Sequence, residues 1–245
     1  MEDSKTPKDL EIERLEKEYQ DFAYIVSHDL RAPLRHVKEF TNLLIGSREE
    51  NLSAEDKEYL FFLNRSLEKI DDMQKALLSF SRLNTRAEER EYVDLNQVID
   101  NVLLELGMKQ IPNDIIFEKD ELPVVLAEKK QMNLLFFSLI DNALKFHGDE
   151  ATLKRVSISV KDEEGVWVFE ISDNGIGIDP QFHDLIFRFF QRLEPNRYPG
   201  IGAGLSISKK IIELHGGEIL IESSLGKGTE AVSYTHLTLP TISSV

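Results

Sequence analysis

Asp173-Asn174-Gly175-Ile176-Gly177-Ile178 follows the apolar run Val166-Trp167-Val168-Phe169-Glu170-Ile171, which alternates enough to read as a strand. Two glycines spaced one apart let the backbone turn with positive φ and come close to a ligand. Asp173, at the strand end, is placed to accept a hydrogen bond from an exocyclic amine such as that of adenine. Taken alone, Asp-Asn-Gly is also an ordinary hairpin turn, and on its own the stretch favours that reading. The segments around it shift the balance.

Upstream, Glu128 to Phe146 reads as a helix ending in Asp141-Asn142-Ala143-Leu144-Lys145-Phe146. Asn142 and Lys145 are three apart and share a face. An amide oxygen can ligate Mg²⁺ while a lysine one turn on balances phosphate charge. The plainer reading is a helix with an ordinary polar face. Downstream, Gly200-Ile201-Gly202-Ala203-Gly204 precedes a helix expected from about Leu205 to Leu214. Unblocked N–H groups and a positive helix end there suit a polyphosphate, although one glycine-rich loop is weak evidence. Asp94-Leu95-Asn96 caps a helix through Leu106, and Ile115 to Glu118, Pro123 to Val125, Val156 to Val160 and Glu218 to Glu222 read as strands. Strands and helices mixed without strict alternation give an α+β sandwich, not a doubly wound sheet.

The 245 residues carry a net charge of -15, which argues against a nucleic-acid-binding surface. With no cysteine, disulfides, thiolate chemistry and Cys-based zinc sites are excluded. The longest apolar stretches, such as Leu134-Leu135-Phe136-Phe137, are too short to cross a bilayer. Met1-Glu2-Asp3 opens no secretory leader, so the chain is expected to be cytoplasmic, or the soluble end of something longer.

From about Asp9, apolar residues recur at Leu15, Tyr19, Phe22, Val26, Leu30, Pro33, Val37, Phe40 and Leu44, the pattern of a long amphipathic helix bent at Pro33. Ser53 with Asp56 starts a second helix, with a stripe at Leu60, Leu63, Leu67, Ile70 and Leu77. The resulting antiparallel hairpin leaves its stripes half uncovered, and a homodimeric four-helix bundle is the simplest way to cover them. Asn84 to Glu91 reads as a linker. His28 lies two positions off the stripe, in Ser27-His28-Asp29-Leu30-Arg31-Ala32-Pro33, and should point outward. A lone exposed histidine is most often only a surface residue. Asp29, however, can fix its tautomer and raise the nucleophilicity of the other ring nitrogen.

In this order the pieces resemble the two-component sensor histidine kinases from Asp9 to about Thr229. Ser27 to Leu34 is similar to the phospho-acceptor H box and Asp141 to Phe146 to the N box. Asp173 to Gly177 and Gly200 to Leu205 are similar to the two glycine boxes, and Ile186 to Arg192 to the F box. Phe146-His147-Gly148-Asp149-Glu150 with Arg192-Leu193 and Tyr198-Pro199-Gly200 resembles the bacteriophytochrome-like branch. The resemblance implies a dimerisation and phosphotransfer hairpin (residues 1–88) and a Bergerat-type ATP-binding domain (89–229). It implies ATP-dependent phosphorylation of His28, oriented by Asp29, then transfer to an aspartate on the receiver domain of a response regulator. Asn142 would ligate Mg²⁺, Lys145 and Arg192 would contact phosphates, and Asp173 would read adenine. Phe146, Gly175, Gly177, Gly200, Gly202, Gly204 and Leu205 would shape the pocket. An upstream sensor domain or protein is expected outside this chain.

Ala203 replaces a larger aliphatic residue of the second glycine box, which would loosen the lid. Ala32, four residues after His28, stands where phosphatase-competent members carry Thr or Asn, implying weak phosphatase activity. Ser138 stands where ATPases sharing the fold place a glutamate to activate water, so the acceptor should be a side chain. Asp141 is the alternative base, on a different face. Residues 230–245 are too long and poorly patterned for the closing strand. Two readings stay open for them, a native divergent strand or foreign sequence that would leave the sheet without its edge strand. An ATPase without phosphotransfer is disfavoured by Ser138 and by His28-Asp29. A degenerate scaffold is disfavoured by the intact Asn142, Asp173 and paired glycines.

Overall fold

The computed structural model describes residues 34–42, 52–85, 89–108, 110–147, 153–163, 166–195 and 197–235. The chain divides into two compact units, Met1–Arg86 and Ala87–Val245. His28, Asp29 and Ala32, the bend expected at Pro33 and most of the first helix lie outside the described residues.

In the first unit, residues 34–42 are helical (α1), and α2 spans Ala54–Thr85. The start of α2 forms as its sequence dictates. The Asp56 amide donates to Ser53 Oγ at 3.1 Å, and the Ser53 amide donates back to the Asp56 carboxylate at 3.0 Å. This reciprocal cap satisfies two otherwise orphaned donors. The bond from the Ser53 hydroxyl also holds the Asp56 carboxyl below the usual aspartate range. Leu67, Ala76, Leu78 and Leu83 are buried, whereas Val37, Phe40, Phe61, Leu63 and Ile70 stay exposed. Much of the expected stripe is therefore uncovered on α1 and the first half of α2.

The second unit is an α/β sandwich. β1 (Glu91–Asp94) pairs antiparallel with β3 (Val124–Ala127). The main sheet has the order β2-β4-β5-β7-β6, from β2 (Ile115–Lys119), β4 (Lys154–Glu163), β5 (Val166–Asp173), β6 (Glu218–Ser223) and β7 (Thr229–Thr235). β2 runs parallel to β4 and the other pairs are antiparallel. Three helices, α3 (Leu95–Glu105), α4 (Lys129–Lys145) and α5 (Gly204–Leu214), pack with α4 in the middle. Ile140, Ile158, Ile211, Ile212 and Val156 between the layers are fully buried, and removing each side chain from water contributes about 1.5–3 kcal/mol. Phe136 of α4 meets Phe169 of β5 edge to face, with ring centroids 6.2 Å apart.

Asp94 caps α3 by accepting from the Asn96 amide at 2.9 Å. Asn96 then ties the helix to the chain before β3: its Nδ2 donates to Leu122 O and its Oδ1 accepts from the Leu122 amide. His215, which stops α5, is buried with Nδ1 2.8 Å from Ile211 O, and burial lowers its pKa.

Two expectations are corrected. The expected linker stops one residue short, because Glu91 opens β1, a strand of four residues that is too short for its alternation to stand out. The ATP-binding unit does not stop at 229. β7 runs to Thr235, pairing with β5 through Asp173↔Thr229 to Trp167↔Thr235 and with β6 on its other side. It is a central strand, with Ala231, Val232 and Ser233 all buried. Ala231 and Ser233 lie on the helix side, and Val232 and Tyr234 on the side of the exposed Leu220. Small and polar residues inside with apolar ones outside invert the expected alternation, which is why its pattern looked poor. Residues 236–245 lie outside the described residues.

Candidate functional site

The end of β5, the end of α4 and the start of α5 come close together. Asp173 closes β5, and its Oδ1 accepts from the Gly175 amide at 2.7 Å and, more weakly, from the Thr229 amide at 3.3 Å. These bonds fix the carboxylate plane. Among the described residues no hydrogen bond reaches Oδ2, which is left to accept from a ligand. Burial raises the Asp173 carboxyl above the ordinary aspartate range, against the opposing pull of Gly175, His147 and Thr229.

The turn lies hard against the end of α4. Phe146 O accepts from the Ile176 amide at 2.9 Å, and a Cβ added at Gly175 would sit 2.2 Å from that oxygen. The glycine is required by this approach. On the opposite wall, a Cβ at Gly204 would lie 2.4 Å from Ser138 Oγ and 3.8 Å from Asn142 Nδ2. The second glycine box thus presses its backbone onto the face of α4 that carries Asn142. Asn142 is half-buried, and its amide has no hydrogen-bond partner among the described residues. The buried Ser138 hydroxyl also lacks a partner there. No side chain caps α5, so its first N–H groups remain open toward the same space.

Asn142 lies in the last turn of α4 and Phe146 just after it; Asp173 ends β5, with Gly175 and Gly177 in the turn beyond; Gly204 and Leu205 start α5, with Gly200 and Gly202 in the loop before it. Two cations have protein partners. Lys145 Nζ forms an ion pair with Asp141 Oδ2 at 2.5 Å, which also ties up the residue considered as an alternative base. Arg192 donates to Pro195 O at 2.8 Å and to Tyr198 O, so its guanidinium holds its own loop. Phe190, in that loop, has φ +61, a conformation rare for a non-glycine residue.

Sequence reasoning missed several residues that shape the pocket. Thr229 supports Asp173 through its backbone. Ser223 Oγ donates to Gly228 O at 2.7 Å and accepts from the Ile178 amide at 2.8 Å, joining the two glycine turns. Tyr198 donates its hydroxyl to His147 O at 2.8 Å and packs edge to face on Phe146, with centroids 4.9 Å apart. The only sequence signal for these was the Gly226-Lys227-Gly228-Thr229 turn and the His147 and Tyr198 positions of the branch motif.

A half-buried carboxylate at a strand end, a helix amide without a partner among the described residues and two glycine turns too tight for any side chain fit a nucleotide-binding α/β domain. Residues 127–241 match the model for histidine kinase-, DNA gyrase B- and HSP90-like ATPases. Residues 18–86 match the His Kinase A phospho-acceptor domain. Cyanobacterial phytochrome A of Nostoc sp. is 37% identical over 219 residues, covering 89% of this chain and 28% of that protein. The methanogenesis regulatory histidine kinase FilI of Methanothrix harundinacea is 32% identical over 236 residues, covering 94% of this chain and 26% of that protein. The chain therefore spans under a third of the length of these relatives. Full-length ShkA in complex with AMPPNP shares the fold, with a TM-score of 0.67, 23% identity and coverage of 90% of this chain and 46% of that one. The mycobacterial sensor histidine kinase MprB superposes with a TM-score of 0.52 at 27% identity, over 62% of this chain and 99% of that one. The chain belongs to the sensor histidine kinases, as a phospho-acceptor region followed by an ATP-binding domain, with phytochrome-like kinases among its relatives.

Proposed function

We propose that this chain binds Mg-ATP between α4 and the Asp173 turn, phosphorylates His28 and passes the phosphoryl group to a response regulator. The observation that carries the reading is the close meeting of these segments: among the described residues Asp173 Oδ2 and the Asn142 amide have no partner, and Gly175 and Gly204 press on Phe146 O and Ser138 Oγ. Asp173 accepts from the adenine amine, and Phe146 with Gly175 and Gly177 borders the base. The open N–H groups at the start of α5, with Gly200, Gly202, Gly204 and Leu205, receive the polyphosphate. Lys145 and Arg192 reach it by exchanging their present partners, Asp141 and the loop carbonyls.

Among the described residues no three His, Cys, Asp or Glu side chains converge as a metal group. Mg²⁺ therefore fits here as an ion carried largely by phosphate oxygens, with the Asn142 amide oxygen as its protein ligand. When bound, it neutralises charge on the phosphates. A nitrogen of His28, oriented by Asp29, attacks the γ-phosphorus. The bond from that phosphorus to the β-phosphate oxygen breaks and ADP leaves. In the second step a receiver-domain aspartate attacks the phosphorus, the P–N bond breaks and the imidazole is regenerated. Ser138 offers no base for water, which supports a side-chain acceptor.

The uncovered apolar residues of α1 and α2, Val37, Phe40, Leu63 and Ile70, support a homodimeric helical bundle. No described helix is long and apolar enough to cross a membrane. The ATP requirement places the chain in the cytoplasm, under the control of a sensor outside it.

Calorimetric titration with ATP checks the site. The intact chain should bind ATP about tenfold or more tightly with Mg²⁺ than with a chelator present, and Asn142→Ala should remove most of that difference. Unchanged Mg²⁺ dependence in the variant would rule out Asn142 as the metal ligand.

A further inference from the structure

His147 follows the last residue quoted for the N box and has no part in the chemistry above, yet it is only 6% exposed. Its ring Nε2 lies 3.0 Å from Asn174 Oδ1. The direction of that bond can be fixed. Asn174 Oδ1 also receives the Arg155 backbone N–H at 2.7 Å, while Asn174 Nδ2 donates to Leu153 O at 3.0 Å. The amide oxygen is therefore the atom facing His147, and an oxygen accepts only. Nε2 must carry the proton, and the neutral ring then has its lone pair at Nδ1, a buried atom with no partner among the described residues. In this tautomer the unmet group is a lone pair, a smaller cost than an orphaned N–H.

Asn174 sits between Asp173, whose Oδ2 faces the pocket, and Gly175, whose amide fixes the carboxylate. Its side chain is thus the anchor that sets where the Asp173 turn begins. On its other side, His147 O receives the Tyr198 hydroxyl, and Tyr198 leads directly into the second glycine box. A single residue reaches both walls of the pocket, one through its ring and one through its carbonyl.

We infer that His147 is a positioning residue for the nucleotide base: its Nε2–H bond to Asn174 holds the Asp173 turn at the spacing that the exocyclic amine needs. The inference rests on the ATP-binding reading above. Loss of one neutral hydrogen bond that acts through geometry is worth about five- to tenfold in affinity. The chosen replacements separate positioning from bulk. The Gln side chain can bring an N–H near the Nε2 position, Asn is too short to reach it, and Leu fills space without donating.

The test is titration of the full chain and its variants with Mg-ATP, alongside melting curves taken without nucleotide. His147→Leu is expected to raise the dissociation constant about tenfold and His147→Gln to stay within about twofold of the parent. In label-transfer assays the Leu variant should raise KM for ATP far more than it lowers turnover at saturating ATP. Should His147→Leu not fold, His147→Asn against His147→Gln carries the same test, with weakened binding for Asn alone. Parent-like affinity in a folded Leu variant, or equal affinity for Asn and Gln, would overturn the inference. A parent chain that binds no nucleotide would instead remove the reading on which it rests.

Discussion

Replacing Asp173 by Asn is expected to weaken Mg-ATP binding at least about a hundredfold while leaving the fold of the ATP-binding unit intact. Asn keeps an oxygen that can accept from Gly175 and Thr229, so the turn retains its internal bonds. The free Oδ2, however, becomes an N–H₂ group facing the donor amine of adenine. Two donors pointed at each other in a half-buried pocket leave both unpaired, and sites built around one polar group reject the mismatch strongly. Stability should change little, because burial already raises the Asp173 carboxyl. For a carboxyl raised in the folded state, ionisation opposes folding once the pH passes the unfolded value, so removing the charge does not cost native stability. The same shift gives binding a pH dependence. Affinity depends on the ionised form and should fall as pH drops through the raised Asp173 value, a fall that the Asn variant lacks. Calorimetry across pH with both proteins checks this, and a variant that binds ATP like the parent would separate Asp173 from base recognition.

The largest stability loss is expected from Gly228→Ala. Gly228 has φ +84, and a Cβ there would lie 1.9 Å from Asp173 O and 2.9 Å from the Asn174 Cα. The obstacle is backbone at the end of β5, which cannot rotate away. The strain of a left-handed residue adds to a displacement of the β5–β7 pairing at Asp173↔Thr229. Together these should cost on the order of 3 kcal/mol or more, lowering the melting temperature of a unit this size by about 10 °C. Gly216→Ala is the internal control. Gly216 also has positive φ, +72, but its Cβ would meet nothing within 4 Å. It should lose only the conformational part. Equal losses at the two glycines would show that the contact with Asp173 carries no weight.

Chemistry was legible where a residue type is demanded by backbone approach. Gly175 against Phe146 O and Gly204 against Ser138 Oγ were visible only as glycines, weak signals on their own, and it was the resemblance to the sensor histidine kinases that joined them with Asp173 and Asn142. Periodicity located α3, α4, α5 and the β4–β5 hairpin, because each buries one face against the other layer. It failed at β7, where Ala231 and Ser233 lie on the helix side and Val232 and Tyr234 on the other, against the usual polarity, and at β1, which is too short to show it. Side-chain partners were the least legible. Lys145 and Arg192 read in sequence only as cations near a phosphate site, whereas their contacts are with Asp141 and with the Pro195 and Tyr198 carbonyls. The links from His147 to Asn174 and Tyr198 span 27 and 51 residues, a range at which no sequence spacing rule operates.

The most direct measurement of the central claim is incubation of the full chain with γ-labelled ATP and Mg²⁺, followed by acid and base treatment of the labelled protein. Label that is acid-labile and base-stable, that maps to His28 and that disappears in His28→Gln is the result this account requires. Release of inorganic phosphate without labelled protein, or label that persists in His28→Gln, would contradict it.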